Sequence, residues 1–206
     1  MRITDYKQFK KFIEGLNYRP TLLLLACCAP CSSHCIDVLR KYFDITVFYS
    51  NDNIYPEEEY FTRLDEIHRF TSEFDSNVKV IDDGYNPEDF YKAVEGLESL
   101  GEKSPRCYKC YTERLRKTAI KAKELGLEYF STTLSISPYK VSKWLNEIGF
   151  QLEDEFEVSY LYSDFKKENG YKKSEEFSDK YNLYRQDYCG CKFSIEERDR
   201  TRENKI

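Results

Sequence analysis

Eight cysteines fall into three tight groups along a chain of 206 residues. The first is Cys27, Cys28, Cys31 and Cys35 in LLLLACCAPCSSHC, the second Cys107 and Cys110 in PRCYKC, the third Cys189 and Cys191 in YCGC. Thiolates are soft ligands, and C-x-x-C at a loop-to-helix junction lets two sulfurs converge on one metal. Two such pairs from separate segments make four thiolates, enough for zinc or for an iron–sulfur cluster; sulfur ligands alone do not choose between them. The Cys189-Gly190-Cys191 triplet differs. Its two sulfurs are close enough in sequence to bond to each other, and Gly190 removes a side chain that would strain so small a ring. A strained, exposed pair of this kind is a labile, electron-carrying disulfide; the competing reading is that it completes a metal site. Cys35, one turn past Cys31, is expected as a small core residue. His34 and His68 stand alone and are expected to be surface or helix residues.

Something must bring these groups together. Thr21–Ala26, Ile45–Ser50 and Val78–Ile81 read as short, buried parallel strands, and Leu127–Leu134 as a fourth. Helical spacing over Ser32–Phe43 puts Ile36, Leu39 and Phe43 on one face. A second helix starts at Pro56 with acids in its first turn, which suit the helix dipole. A third opens at Asn86-Pro87-Glu88-Asp89 and carries Phe90, Val94 and Leu97. A long helix is expected over Tyr108–Leu125, ended by Gly126, and another over Tyr139–Ile148, stopped at Gly149. Alternating strand and helix predicts an α/β fold, a Rossmann-like parallel sheet flanked by helices, with right-handed crossovers. Ligands gather at the carboxyl ends of such strands, where helix N-termini lower thiol pKa; CCAPC falls there. From Gln151 the chain turns rich in Tyr, Phe and Lys. Residues 1–206 are read as one domain, with 151–206 a capping subdomain over the functional edge.

Charged residues make up 33% with both signs interspersed, which suits a folded, soluble chain. A net charge of −5 argues against a general nucleic-acid coating protein and leaves room for a local basic patch. No apolar stretch is long enough for a membrane span or a secretory leader, so a cytoplasmic location is expected. Thiols stay reduced there, so the cysteines call for a metal or redox role rather than an extracellular disulfide scaffold.

The segments LLLLACCAPCSSH, FYSNDNIYPEEEYFTR, PRCYKCYTERLRKTA, FSTTLSISPYK, DFKKENGYKKS and YRQDYCGCKFS together resemble the epoxyqueuosine reductases of the QueH type. The match runs almost end to end; the first 20 residues are the part least covered. The resemblance implies an α/β fold of the HUP type. It implies the last step of queuosine formation, reduction of an epoxide on the cyclopentane ring of the modified base at the wobble position of tRNA. It also implies a [4Fe–4S] cluster held by Cys27, Cys28, Cys107 and Cys110, a redox-active disulfide at Cys189 and Cys191, and an additional mononuclear iron. Cys31 is the candidate ligand for that iron, with Asp82 or Asp83 as carboxylate partner.

Opening an epoxide to an alkene with loss of water takes two electrons and two protons. One cluster shuttles one electron at a time, whereas a dithiol supplies two. A metal with an open position could polarise the epoxide oxygen. Tyr108, Tyr111 and Asp187 are candidate proton donors. Substrate contacts are assigned to Tyr111, Arg114, Lys140 and Arg185. Around them lie Arg106, Lys109, Arg116, Lys117, Lys121 and Lys123 on the long helix, with Lys143, Lys166, Lys167, Lys172 and Lys173 further on. Tyr139, Tyr171, Tyr181, Tyr184 and Tyr188 interleave with this charge, as stacking of an extruded tRNA base requires. The reductant is an unidentified electron donor. Two rivals stand beside this reading: a zinc-structured tRNA-binding module without catalysis, and a tRNA thiolation enzyme, against which CCAPC stands where a glycine-rich phosphate cradle would be.

Overall fold

The computed structural model describes residues 2–203. Its strands are β1 (Thr21–Leu25), β2 (Asp44–Tyr49), β3 (Lys79–Asp82), β4 (Tyr129–Thr132) and β5 (Ser159–Tyr160). All pair in parallel, in the order β3-β2-β1-β4-β5. The helices are α1 (Tyr6–Glu14), α2 (Ala29–Leu39), α3 (Glu57–Phe74), α4 (Pro87–Ala93), α5 (Pro105–Glu124), α6 (Ser142–Phe156), α7 (Gly170–Lys180) and α8 (Lys192–Glu203). This is the expected α/β class, a Rossmann-like sheet.

The leucine run explains itself at the centre of that sheet. Side chains alternate along a strand, so Leu22 and Leu24 pack with Phe9, Ile36, Val47 and Ile67 under α1, α2 and α3. Leu23 and Leu25 turn the other way, onto Phe48, Leu115, Phe130, Leu145 and Ile148 under α5 and α6. All four are fully buried, each contributing about 1.5–3 kcal/mol of hydrophobic transfer. The chain winds outward from β1 to β3, then returns to β4 on β1's other side. The order of strands therefore reverses beside β1, and the crevice at that switch point receives the segments after β1 and β4.

Several boundaries differ from expectation for local reasons. α2 begins at Ala29 rather than Ser32, with Pro30 in its first turn and Cys28 as its N-cap. α5 begins at Pro105 rather than Tyr108, so Cys107 and Cys110 both lie on its opening turns. β4 stops at Thr132 because that hydroxyl accepts the Leu134 N–H at 3.1 Å and turns the chain into a short 3-10 segment. Gly149 does not stop α6, which runs to Phe156. A Cβ there would lie 2.4 Å from the Tyr160 ring, so the glycine admits a close helix-to-strand approach. Residues after Gln151 first finish α6 and supply β5, and α7 and α8 follow. α1 lies outside the expected elements although Asp5 caps it and Phe9 and Ile13 bury one face at helical spacing; the two-residue β5 is too short to carry a strand pattern.

Candidate active site

β1 delivers Cys27 and Cys28 into the crevice as the chain breaks from strand to helix. Their Sγ atoms lie 3.7 Å apart, and with Cys31 Sγ all three stand within 4.8 Å of one another. Cys28 caps α2, where the helix dipole favours a thiolate, and Gln186 Nε2 donates to its sulfur at 3.2 Å. Hydrogen bonding from Cys27, then Cys31, with Arg63 and Gln186 adding, holds the Cys28 thiol well below its ordinary range. The reciprocal contact pushes Cys27 up to about 12, while the α2 N-terminus and the Gln186 donor favour a charge on Cys28.

Cys27 also lines a cavity of about 30 Å³ together with Cys107, Cys110, Cys189 and Cys191. All three sequence groups thus meet in one space, although Cys107 and Cys110 stand outside the tight three-sulfur group. Burial raises the Cys107 thiol and pushes Cys110 up to about 12. Four cations line the same walls: Arg63, Arg106, Arg114 and Lys140. Arg63 pairs with Glu59 at 2.7 Å, and Arg106 Nη1 donates to the Glu98 carbonyl at 2.9 Å. Arg114 bonds the Ser50 carbonyl at 3.2 Å and the Asn51 side chain, and Asn51 in turn donates to the Ala26 carbonyl at 2.9 Å. Arg63 Nη2, Arg106 Nη2 and Tyr111 Oη are buried without a partner among the described residues. Unpaired buried donors and cations are costly, so this lining suits an anionic guest. The tight Cys27, Cys28 and Cys31 group has the soft donors to bind a metal, although Cys28 and Cys31 do not line this inner cavity.

A second, open cavity of about 360 Å³ adjoins the first and shares Cys27, Leu134, Lys140 and Cys189 with it. Tyr139, Tyr171, Tyr188 and Arg185 give it an aromatic and cationic wall. Both thiols of the Cys-Gly-Cys segment are free here. Gly190 has φ +135°, and a Cβ would lie 3.2 Å from Asn53 Nδ2 and 3.3 Å from Arg63 Nη1. Only glycine suits both demands. Lys140 Nζ donates to Cys189 Sγ at 2.7 Å; burial opposes the ammonium charge, but Cys189 and Tyr111 hold its pKa well above the ordinary lysine value. Burial pushes Cys191 up to about 11.

The remaining sequence-stated candidates divide. Tyr111 and Arg114 sit in the inner cavity's wall, Lys140 at the junction and Arg185 at the outer rim, where it bonds Ser178 Oγ at 2.8 Å. Cys35 is fully buried, as expected. His34 is on a helix but not at the surface: it is 6% exposed beneath α7, with Nδ1 unpartnered. Asp82 and Asp83 end β3, two strands from β1, and serve Tyr60 and Ser50; neither lines the cysteine cavity. Tyr108 packs edge-on to Trp144 instead of entering the cavity. Asp187 is held below the usual carboxylate range by Arg198 and then Arg202, which suits an ion pair rather than a proton donor. Four basic residues of α5 are paired with carboxylates of this chain. Arg116 pairs with Glu155, Lys117 with Asp52 and Asp89, Lys121 with Glu124, and Lys123 with Glu157. Arg63, Asn53 and Gln186 were not singled out from sequence; their only signal is their place in the FYSNDNIYPEEEYFTR and YRQDYCGC segments.

Among the described residues no helix is long and apolar enough to cross a membrane. A family model described as epoxyqueuosine reductase QueH matches residues 22–197. A curated epoxyqueuosine reductase QueH from Streptococcus pyogenes serotype M1 is 41% identical over 192 residues, covering 91% of this chain and 75% of the relative. The protein of the same name from Staphylococcus aureus is 40% identical over 202 residues, covering 94% and 84%. That from Thermotoga maritima is 36% identical over 184 residues, covering 86% and 92%. The cysteine groups that meet at the switch point all lie within the matched span, and the chain belongs to the epoxyqueuosine reductase QueH family.

Proposed function

We propose that this chain reduces epoxyqueuosine to queuosine at the wobble position of tRNA, the last step of queuosine formation. The observation that carries the reading is a single cavity walled by five cysteines and four cations, in a chain that belongs to this family. The reaction consumes two electrons and two protons, turning the epoxide into an alkene and releasing its oxygen as water.

Cys27, Cys28, Cys107 and Cys110 would hold a [4Fe–4S] cluster, with Cys31 the candidate ligand of an additional mononuclear iron. When bound, the cluster supplies electrons one at a time. Cys189 and Cys191 supply a pair, passing from two thiols to one disulfide. Tyr111 keeps a hydroxyl proton free of protein partners inside the cavity, so it is the proton donor best supported by its surroundings. The outer cavity takes the extruded base, with Tyr139, Tyr171 and Tyr188 for stacking and Arg185 for phosphate. An electron donor regenerates the dithiol, and a tRNA substrate is consistent with a cytoplasmic location.

The test is anaerobic incubation of reduced, iron-loaded protein with tRNA bearing epoxyqueuosine, followed by nucleoside mass analysis. A loss of 16 mass units on the modified nucleoside, the removal of one oxygen, is the expected result; an unchanged nucleoside under reducing conditions contradicts it. A zinc-structured tRNA-binding module draws on the tight three-sulfur group. It leaves the unpartnered Nη2 atoms of Arg63 and Arg106 and the Cys-Gly-Cys pair without a task, and bound zinc in place of iron would favour it.

A further inference from the structure

The two thiols of the Cys-Gly-Cys segment face different spaces. Cys189 lines both cavities, so it can be approached from the open side, and its sulfur accepts the hydrogen bond from Lys140 at 2.7 Å. Cys191 lines only the inner cavity, is 8% exposed and packs with Phe90 and Val94. Thiol–disulfide exchange depends on which sulfur can be reached and on how well the departing thiolate is stabilised. The first factor selects Cys189 as the target of an incoming thiol. The second is met when Cys189 departs, because Lys140 stands beside it.

We propose that reducing equivalents arrive through Cys189, which forms a mixed disulfide with an external dithiol in the outer cavity, while Cys191 is the internal thiol and Lys140 the positioning cation. The proposal rests on reading the pair as redox-active. A thiolate of the reductant bonds to Cys189 Sγ as the Cys189–Cys191 bond breaks, and the electron pair leaves on Cys191 Sγ, which takes up a proton. The reductant's second thiolate then attacks its own sulfur in the mixed disulfide. Cys189 is released as a thiolate next to the Lys140 ammonium, and the reductant departs as a disulfide. Two electrons enter the protein with one proton, taken up on Cys191, while Cys189 stays a thiolate and the reductant's other proton goes to solvent.

The test uses anaerobic holoprotein and 5,5′-dithiobis(2-nitrobenzoate) as a disulfide probe, with peptide mass mapping. In a Cys191→Ser background, Cys189 is expected to be labelled rapidly. In Cys189→Ser, Cys191 should stay unlabelled until denaturant is added. Lys140→Met in the Cys191→Ser background should slow labelling of Cys189 by roughly tenfold or more, the worth of one charge-assisted hydrogen bond, and Lys140→Arg should restore it. Equal labelling of Cys191 in the native protein, or a Lys140→Met rate unchanged from the parent, overturns the proposal. Alkylation before and after reduction of oxidised wild-type protein tests the underlying reading separately: absence of a Cys189–Cys191 linkage would refute the redox pair itself.

Discussion

A tyrosine hydroxyl sealed from solvent normally finds an acceptor, because leaving it unpaired costs free energy. Tyr111 does not: its side chain is buried against Leu115 and Leu134, its oxygen is unpartnered, and burial raises its pKa. Removing such a hydroxyl takes nothing from the fold. Tyr111→Phe is therefore expected to keep its melting temperature and iron content while turnover falls by about 100-fold, as loss of a general acid would cause. Full activity in that variant would remove Tyr111 from the chemistry. At this scale the cysteines were legible, because a soft-ligand residue type clustered three times is rare enough to stand out. Arg63 was not, and Arg106 stood only among the basic residues of the long helix. An arginine in sequence reads as surface, and only the fold turns these two inward, at 1% and 3% exposure, toward the thiols.

Elements place these groups by close approach, and two contacts make that measurable. Gly149 on α6 faces the Tyr160 ring, itself wedged between Phe130 and Phe150 and unable to yield. Gly149→Ala overpacks this seam and should cost about 1–3 kcal/mol, lowering the melting temperature by several degrees. An unchanged melting temperature would mean that the helix can slide. His34 on α2 lies under α7, where burial lowers its pKa below the usual imidazole value, with Lys173 and Lys41 adding and Asp37 and Glu168 opposing. The unfolded chain then binds the proton more readily than the folded one. Stability from this residue is present above the unfolded pKa, about 6.5, and declines as pH falls below it. Urea midpoints at pH 7.5 and 5.5 should diverge more for wild type than for His34→Gln; parallel losses would contradict this. The strand–helix alternation itself was readable, since buried runs such as TLLLL have no other home. The glycine at 149 misled because a helix stop and a close-packing notch look alike in sequence.

Over the whole molecule, charge is distributed against the simple expectation from the basic run of α5. With a net charge of −5, tRNA cannot be held by general attraction and needs a local surface. Arg116 is paired with Glu155, whereas Arg185 stands exposed at the rim of the outer cavity beside Tyr171. Arg185→Ala should weaken tRNA binding several-fold and flatten its salt dependence, while Arg116→Ala should change neither; filter binding across a salt series reads both. Equal losses would return the binding face to α5.

If sulfurs from β1's end and from α5 jointly hold iron and sulfide, removing one from either element must release both. The most direct measurement is iron and acid-labile sulfide content of anaerobically reconstituted wild type, Cys28→Ser, Cys107→Ser and the core control Cys35→Ser. Wild type and the control are expected to bind about four sulfides and about five irons, a [4Fe–4S] cluster with the additional iron, and both contents should fall sharply in the Cys28 and Cys107 variants. Iron and sulfide retained in full by Cys107→Ser, or zinc bound without sulfide in the wild type, would contradict it.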